Sequence, residues 1–263
     1  MQIMMKGLLL AAGLFAAVPL AAQNQAYRAP RAFDGHPDLD GIWEAFTTAN
    51  WDLQDHSQQA GTMWEVGAIG AIPPGQGVVE GGQIPYQPAA LAKKQANFAK
   101  RRTDDPEAKC YMPGVPRANY MPYPFQIVQS PQGILFVYEF ASANRLVNMG
   151  KPVEAGSDTW MGTNNGHWEG ETLVVDVTGL NGLAWLDRAG DFMSDQAHLV
   201  ERYTRIDPYH MNYEATIEDP KTFTKPWKIS MPLYRRVEKN IQLLDFKCVE
   251  FAEELLYGQY KKK

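Results

Sequence analysis

His198-Leu199-Val200-Glu201-Arg202-Tyr203-Thr204-Arg205 and, a few residues on, Asn212-Tyr213-Glu214-Ala215-Thr216-Ile217-Glu218 both alternate in steps of two. Successive side chains of an extended strand point to opposite faces, so the first segment sets His198, Val200 and Arg202 against Leu199, Glu201 and Tyr203. The second sets Glu214, Thr216 and Glu218 against Tyr213, Ala215 and Ile217. Outward from this pair, the same alternation or a short apolar run recurs at Phe125–Gln129, Gly133–Phe140, Arg145–Met149, Thr172–Val177, Trp227–Tyr234 and Ile241–Phe246. Eight short strands separated by turn residues predict a mainly β, mostly antiparallel fold. Asn165-Gly166 and Glu169-Gly170 read as hairpin connections. No alternating strand–helix rhythm, glycine-rich phosphate loop or fixed repeat is present. A lipocalin-like antiparallel barrel fits best, because closure removes edges and leaves room for one small ligand; a two-sheet sandwich is the alternative.

The chain before these strands is organised differently. Pro37-Asp38-Leu39-Asp40-Gly41-Ile42-Trp43 offers a turn and a short strand, and Gly61 to Pro88 is rich in Gly and Pro without a period. Pro88 then opens a helix near 89–102, with Leu91, Phe98 and Ala99 as its apolar stripe, and Asp104-Asp105-Pro106 ends it. Residues 23–119 therefore form an extended, irregular segment that packs on a barrel of residues 120–263 as one domain.

Composition narrows the function. The chain has 263 residues, 45% of them hydrophobic, and a net charge of -5, which describes a globular protein without the basic face that nucleic acid requires. Lys6, the apolar run Gly7 to Leu20 and Ala21-Ala22 have the order of a secretory signal, with cleavage after Ala22. The run is shorter than a membrane span, and no second one follows, so the product is expected in the periplasm or outside the cell, without stable membrane insertion; an uncleaved anchor is the alternative. In such a compartment Cys110 and Cys248, which lack metal-ligand spacing, are most economically a disulfide; two separate buried thiols are the alternative. His36, His56, His167, His198 and His210 are scattered, with no HExxH or closely paired ligands, so no metal or cofactor is expected, a mononuclear site assembled from distant strands being the alternative; the absence of a Gly-x-Ser-x-Gly elbow argues against Ser-His-Asp hydrolysis.

Several polar residues stand within or between the strands where chemistry would need them. Glu214, if it points inward, is a desolvated carboxylate suited to proton transfer, and His198 is a second base; the alternative is that their faces are the wet outside of a barrel. Ala184-Trp185-Leu186-Asp187-Arg188-Ala189-Gly190-Asp191 combines an aromatic surface, the Asp187 carboxylate and the Arg188 guanidinium, as a barrel mouth receiving an aromatic ligand would. Tyr123 and Trp160 offer ring surfaces, with core packing as the alternative, and Arg145 offers a partner for a carboxylate or phenolate, with a solvated surface position as the alternative.

Trp160-Met161-Gly162-Thr163-Asn164-Asn165-Gly166-His167-Trp168-Glu169-Gly170-Glu171-Thr172-Leu173-Val174-Val175-Asp176, with Val200-Glu201-Arg202-Tyr203, Asp219-Pro220 and Lys225-Pro226-Trp227, resembles a large family of exported bacterial proteins, mostly without assigned function. Lys109-Cys110-Tyr111-Met112-Pro113-Gly114-Val115-Pro116-Arg117 is similar to the branch found in sphingomonads that degrade lignin-derived aromatics. The activity this resemblance implies is a phenylcoumaran γ-formaldehyde lyase. A deprotonated para-phenol expels a benzylic ether to give a quinone methide, and loss of the hydroxymethyl carbon as formaldehyde leaves a stilbene-like alkene. Such a cofactor-free lyase needs only proton transfer, by Glu214, His198 or Asp187, and phenolate stabilisation by Arg145 or Arg188. Trp160, Trp185 and Tyr123 would hold the rings. A carrier of aromatic molecules without catalysis, and a purely structural envelope protein, are the competing expectations.

Overall fold

The computed structural model describes residues 27–260; the expected signal segment 1–22 and Lys261 to Lys263 lie outside them. Nine strands follow one another around a closed barrel. They are β1 (Gly41–Ala45), β2 (Phe125–Ser130), β3 (Gly133–Tyr138), β4 (Asn144–Asn148), β5 (Thr163–Glu169), β6 (Thr172–Thr178), β7 (His198–Arg205), β8 (His210–Glu218) and β9 (Trp227–Arg235). Seven of the eight expected strands fall within these bounds to a residue or two. β1 comes from the N-terminal segment and closes the barrel, pairing Trp43 with Phe125 on one side and with Arg235 on the other. Every neighbouring pair is antiparallel except β4 and β5, which run parallel and meet over only Val147–Asn164 and Asn148–Asn165.

Two expectations about local structure are corrected. Asn165-Gly166 lies inside β5 and is no turn. A Cβ on Gly166 would come within 2.5 Å of Val147 and 2.6 Å of Met149, so the glycine serves close approach at the β4–β5 junction, while the Asn165 side chain bonds Asn148 and Val153. Gly170, with φ of 61°, does turn the β5–β6 hairpin as expected. Ile241–Phe246 forms no strand: β9 already pairs with both β8 and β1, so the wall has no edge left for it. The segment instead crosses the outside as part of a strap that ends in α3 (Ala252–Tyr257).

Alternation along β7 and β8 resolves in favour of Leu199, Glu201, Tyr203 and Arg205, and of Met211, Tyr213, Ala215 and Ile217, facing in. The barrel interior is filled by Trp43, Phe125, Phe136, Tyr138, Tyr203 and Tyr213, each 2% exposed or less, so these rings occupy the lumen in which a ligand was expected. Burying each such ring stabilises the fold by about 2–3 kcal/mol before entropy is counted. Among them sits a buried ion pair. Glu201 receives Arg145 Nη1 at 2.5 Å on one oxygen, and Asn119, Tyr213 and Tyr203 at 2.8, 2.7 and 3.1 Å on the other. Arg145 also donates to Asn164 and to the Tyr203 hydroxyl and lies over the Phe136 ring. Burial works against the Arg145 charge, but Glu201 outweighs it and holds the guanidinium protonated.

The helix begins at Pro88 as expected, running as α1 (Pro88–Ala99) and then α2 (Arg101–Asp104). Its buried face is not the expected one: Leu91 is exposed, and Ala90 packs on Trp185 and Phe192 while Lys94 and Asn97 reach Asp191 and the Gly190 carbonyl. Gly190, with φ of 88°, admits α1 closely, since a Cβ there would lie 2.8 Å from the Phe98 nitrogen. No helix among the described residues is long and apolar enough to cross a membrane.

Candidate functional site

Cys110 and Cys248 form the expected disulfide, and it builds a cleft outside the barrel. The bond fastens the strap to the turn after α2, where Phe251 N–H donates to the Ala108 carbonyl at 2.8 Å. Further along, Arg188 holds Glu253 at 3.1 Å and Arg102 holds Glu254 at 3.0 Å, while Leu244 N–H donates to Glu139. Beneath the strap lies a cavity of about 360 Å³, within the range of small-molecule sites. One wall is aromatic: Phe246 of the strap contacts Tyr123 and Phe140 at 5.0 and 4.9 Å between ring centres, and Tyr123 meets Phe140 at 5.5 Å. Arg101, Arg102, Glu107 and Arg188 also line the cavity.

Glu107 takes Arg188 on both oxygens, at 2.7 and 2.8 Å, and Arg117 at 2.5 Å. Arg117, 1% exposed, also binds Asp105 and Asn50. Burial raises the Glu107 pKa, but Arg188 and then Arg117 overcome it and hold the carboxyl at about 2. Burial, followed by the Glu107 charge, pushes the Tyr123 phenol up.

The depressed Glu107 pKa fixes a sign. Its contribution to stability is fully present above the ordinary carboxyl value of 4.5 and is lost as pH falls from there towards 2. The shift corresponds to about 3 kcal/mol at most. Urea unfolding of Glu107→Gln is expected to show lower stability than the parent at pH 7 and a gap that closes by pH 2. A gap independent of pH would contradict the assignment.

Sequence reasoning places two of its candidates here, Tyr123 and Arg188. Arg145 and Trp160 border a different, open groove at the β4–β5 junction, where Trp160 stacks on Tyr111 at 5.3 Å. Glu214 and His198 are corrected: both lie on the outer barrel face, Glu214 bonded to Lys228 at 2.7 Å and His198 to Asp176 at 3.2 Å. The inward positions of these strands belong to apolar or tyrosine side chains, Glu201 and Arg205, so neither base meets the cleft or the lumen. Trp185 is buried under α1. Asp187, fully buried beside it, accepts Leu53 N–H and Asp191 N–H at 2.9 and 3.0 Å. Burial, then the charges of Asp191 and Asp52, raises the Asp187 pKa well above its ordinary range. These three carboxylates each present an oxygen within 4.8 Å of the others; Lys94 and the Tyr86 hydroxyl supply the compensating contacts to Asp191.

Arg101, Glu107, Phe140 and Phe246 are the cleft residues that sequence reasoning passes over, because four separate segments bring them together. The disulfide was the available signal: joining Cys110 to Cys248 necessarily sets Glu107 near Phe246 and Phe251. Compared with family models, curated proteins and solved structures, the chain matches none.

Proposed function

We propose that this protein is an exported, cofactor-independent lyase for lignin-derived phenolic dimers, acting in the periplasm or beyond, and that the reaction takes place in the cleft beneath the strap. The observation that carries this reading is the cleft lining, which combines three mutually packed rings with guanidinium groups. Flat aromatic surface favours aromatic rings, and the guanidiniums favour the charge that develops on them. In the proposed reaction the phenolate pushes electrons into the ring and the benzylic C–O bond breaks, giving a quinone methide and a second phenolate. A base then removes the hydroxymethyl proton, the bond to that carbon breaks, and its electrons restore the aromatic ring. Formaldehyde and a stilbene leave, with no external oxidant or reductant. Glu253 takes the base role in this proposal, since it sits at the cleft with one arginine partner and 43% exposure.

Incubation with a phenolic phenylcoumaran, following formaldehyde and stilbene absorbance together, tests the reaction. Both products are expected in equal amounts without added metal or cofactor. Glu253→Gln is expected to lose about 10²–10⁴-fold in turnover while still binding the dimer. Unchanged turnover would remove Glu253 from the mechanism.

A second reading, ligand carriage without chemistry, is favoured by one specific observation: the glutamates lining the cleft, Glu107, Glu253 and Glu254, are each already paired with an arginine. Saturable binding of the dimer with no product would select it.

A further inference from the structure

Around the cleft, the guanidiniums are neutralised in turn. Arg102 meets Glu65 and Glu254, Arg188 meets Glu107 and Glu253, and Arg117 behind them meets Asp105 and Glu107. Arg101 is different. Among the described residues it has no carboxylate partner: Nη1 donates to the Phe98 carbonyl at 2.9 Å, and Nε is buried without an acceptor. Its guanidinium carbon stands 4.0 Å over the Phe98 ring, which backs one face of the planar group. Burial and then the neighbouring Arg102 charge lower its pKa, consistent with a cation short of a counter-charge.

A half-buried cation without an anion is costly, and the cost is relieved by any ligand that brings one. The missing group is specified by its surroundings. A guanidinium presents parallel N–H donors that match a carboxylate or a phenolate oxygen, and the cleft beside it is walled by Tyr123, Phe140 and Phe246. We propose that Arg101 is the seat for an anionic oxygen, so that the ligands of this cleft are aromatic anions and their uncharged analogues are discriminated against. The inference rests on the reading of the cleft as the binding site, and it adds the charge of the ligand and the residue that selects it. The same seat would hold the phenolate from which the proposed elimination starts.

Calorimetric titration of the full protein at pH 7 with ferulate, uncharged methyl ferulate and 4-nitrophenolate tests the proposal. Ferulate is expected to bind at least about tenfold tighter than its ester, a typical gain from one charge-assisted contact. Arg101→Gln should bring ferulate down to the ester's affinity and leave the ester unchanged, and Arg101→Lys should restore part of the difference. The nitrophenolate separates the two sources of the anion: binding that depends on Arg101 identifies a phenolate seat, and its absence beside ferulate binding identifies a carboxylate seat. Equal affinity for acid and ester, or an Arg101→Gln variant that keeps the preference, would overturn the seat while leaving the cleft as an aromatic site. No binding of any of the three would overturn both. Thermal unfolding of each variant confirms that the barrel, which Arg101 does not enter, is intact.

Discussion

Replacing Arg145 by Met is expected to lower the unfolding free energy by about 3–5 kcal/mol, with the thermal midpoint falling by about 10 °C. The substitution keeps the apolar stem and removes the charge opposite Glu201, which has no exposed surface. Glu201 would keep the neutral donors Asn119, Tyr203 and Tyr213, but three neutral hydrogen bonds do not replace a guanidinium at 2.5 Å in a medium of low polarity. The cost is that of an orphaned charge, so removing the second charge should restore most of it. Arg145→Met/Glu201→Met is therefore expected to be more stable than Arg145→Met alone, and chemical denaturation of the two single variants and the double variant closes the cycle. A single variant within about 1 kcal/mol of the parent would mean that the Arg145–Glu201 pair does not hold the barrel interior. The outcome bears on function as well, because it separates a structural arginine from the ligand contact that its position in the sequence suggests.

Removing the disulfide by Cys110→Ala/Cys248→Ala should have the second large effect, and it should fall on two properties at once. The bond closes a sequence separation of 138 that contains β2 to β9, and chain entropy for a loop of that size gives about 4–5 kcal/mol as an upper figure. The strap would retain its two arginine–glutamate contacts and the Phe246 ring contacts, all at or near the surface and each worth about 1 kcal/mol or less. Ligand binding in the cleft is therefore expected to fall by at least about tenfold, while far-ultraviolet circular dichroism keeps its β signature. Undiminished binding in the folded double variant would show that the strap does not shape the site.

The sequence made the barrel wall legible where one face is apolar. The bounds His198–Arg205 are read to the residue. Alternation separates two faces without saying which is inside, however, and that choice decides whether Glu201 or Glu214 is buried. Closure makes the choice: the face with Tyr203, Tyr213 and Ile217 fills the lumen, and Glu201 goes in with it. Asn165-Gly166 misleads for a related reason, since a dipeptide that favours a turn in isolation is held extended by its pairing with β6 and with Asn148 of β4. Ile241–Phe246 carries a plausible apolar pattern, but a strand needs a neighbour, and a closed wall offers none. The cleft was the least legible part. Tyr123 and Arg188 stand out by composition, whereas Arg101 acquires meaning only from the absence of a carboxylate beside it among the described residues, a property of three-dimensional neighbours that no local pattern encodes.

The parallel meeting of β4 and β5 has a consequence of pure parity. Around any closed ring of strands the direction must reverse an even number of times before returning to its start. Nine strands have nine neighbouring pairs, so at least one pair has to run the same way, and here it is this one. A whole hairpin added or deleted changes the count by two and leaves that obligation untouched; a single strand gained or lost would abolish it. The connection from residue 149 to residue 162, which carries Trp160 from one rim to the other, is thus the price of an odd number.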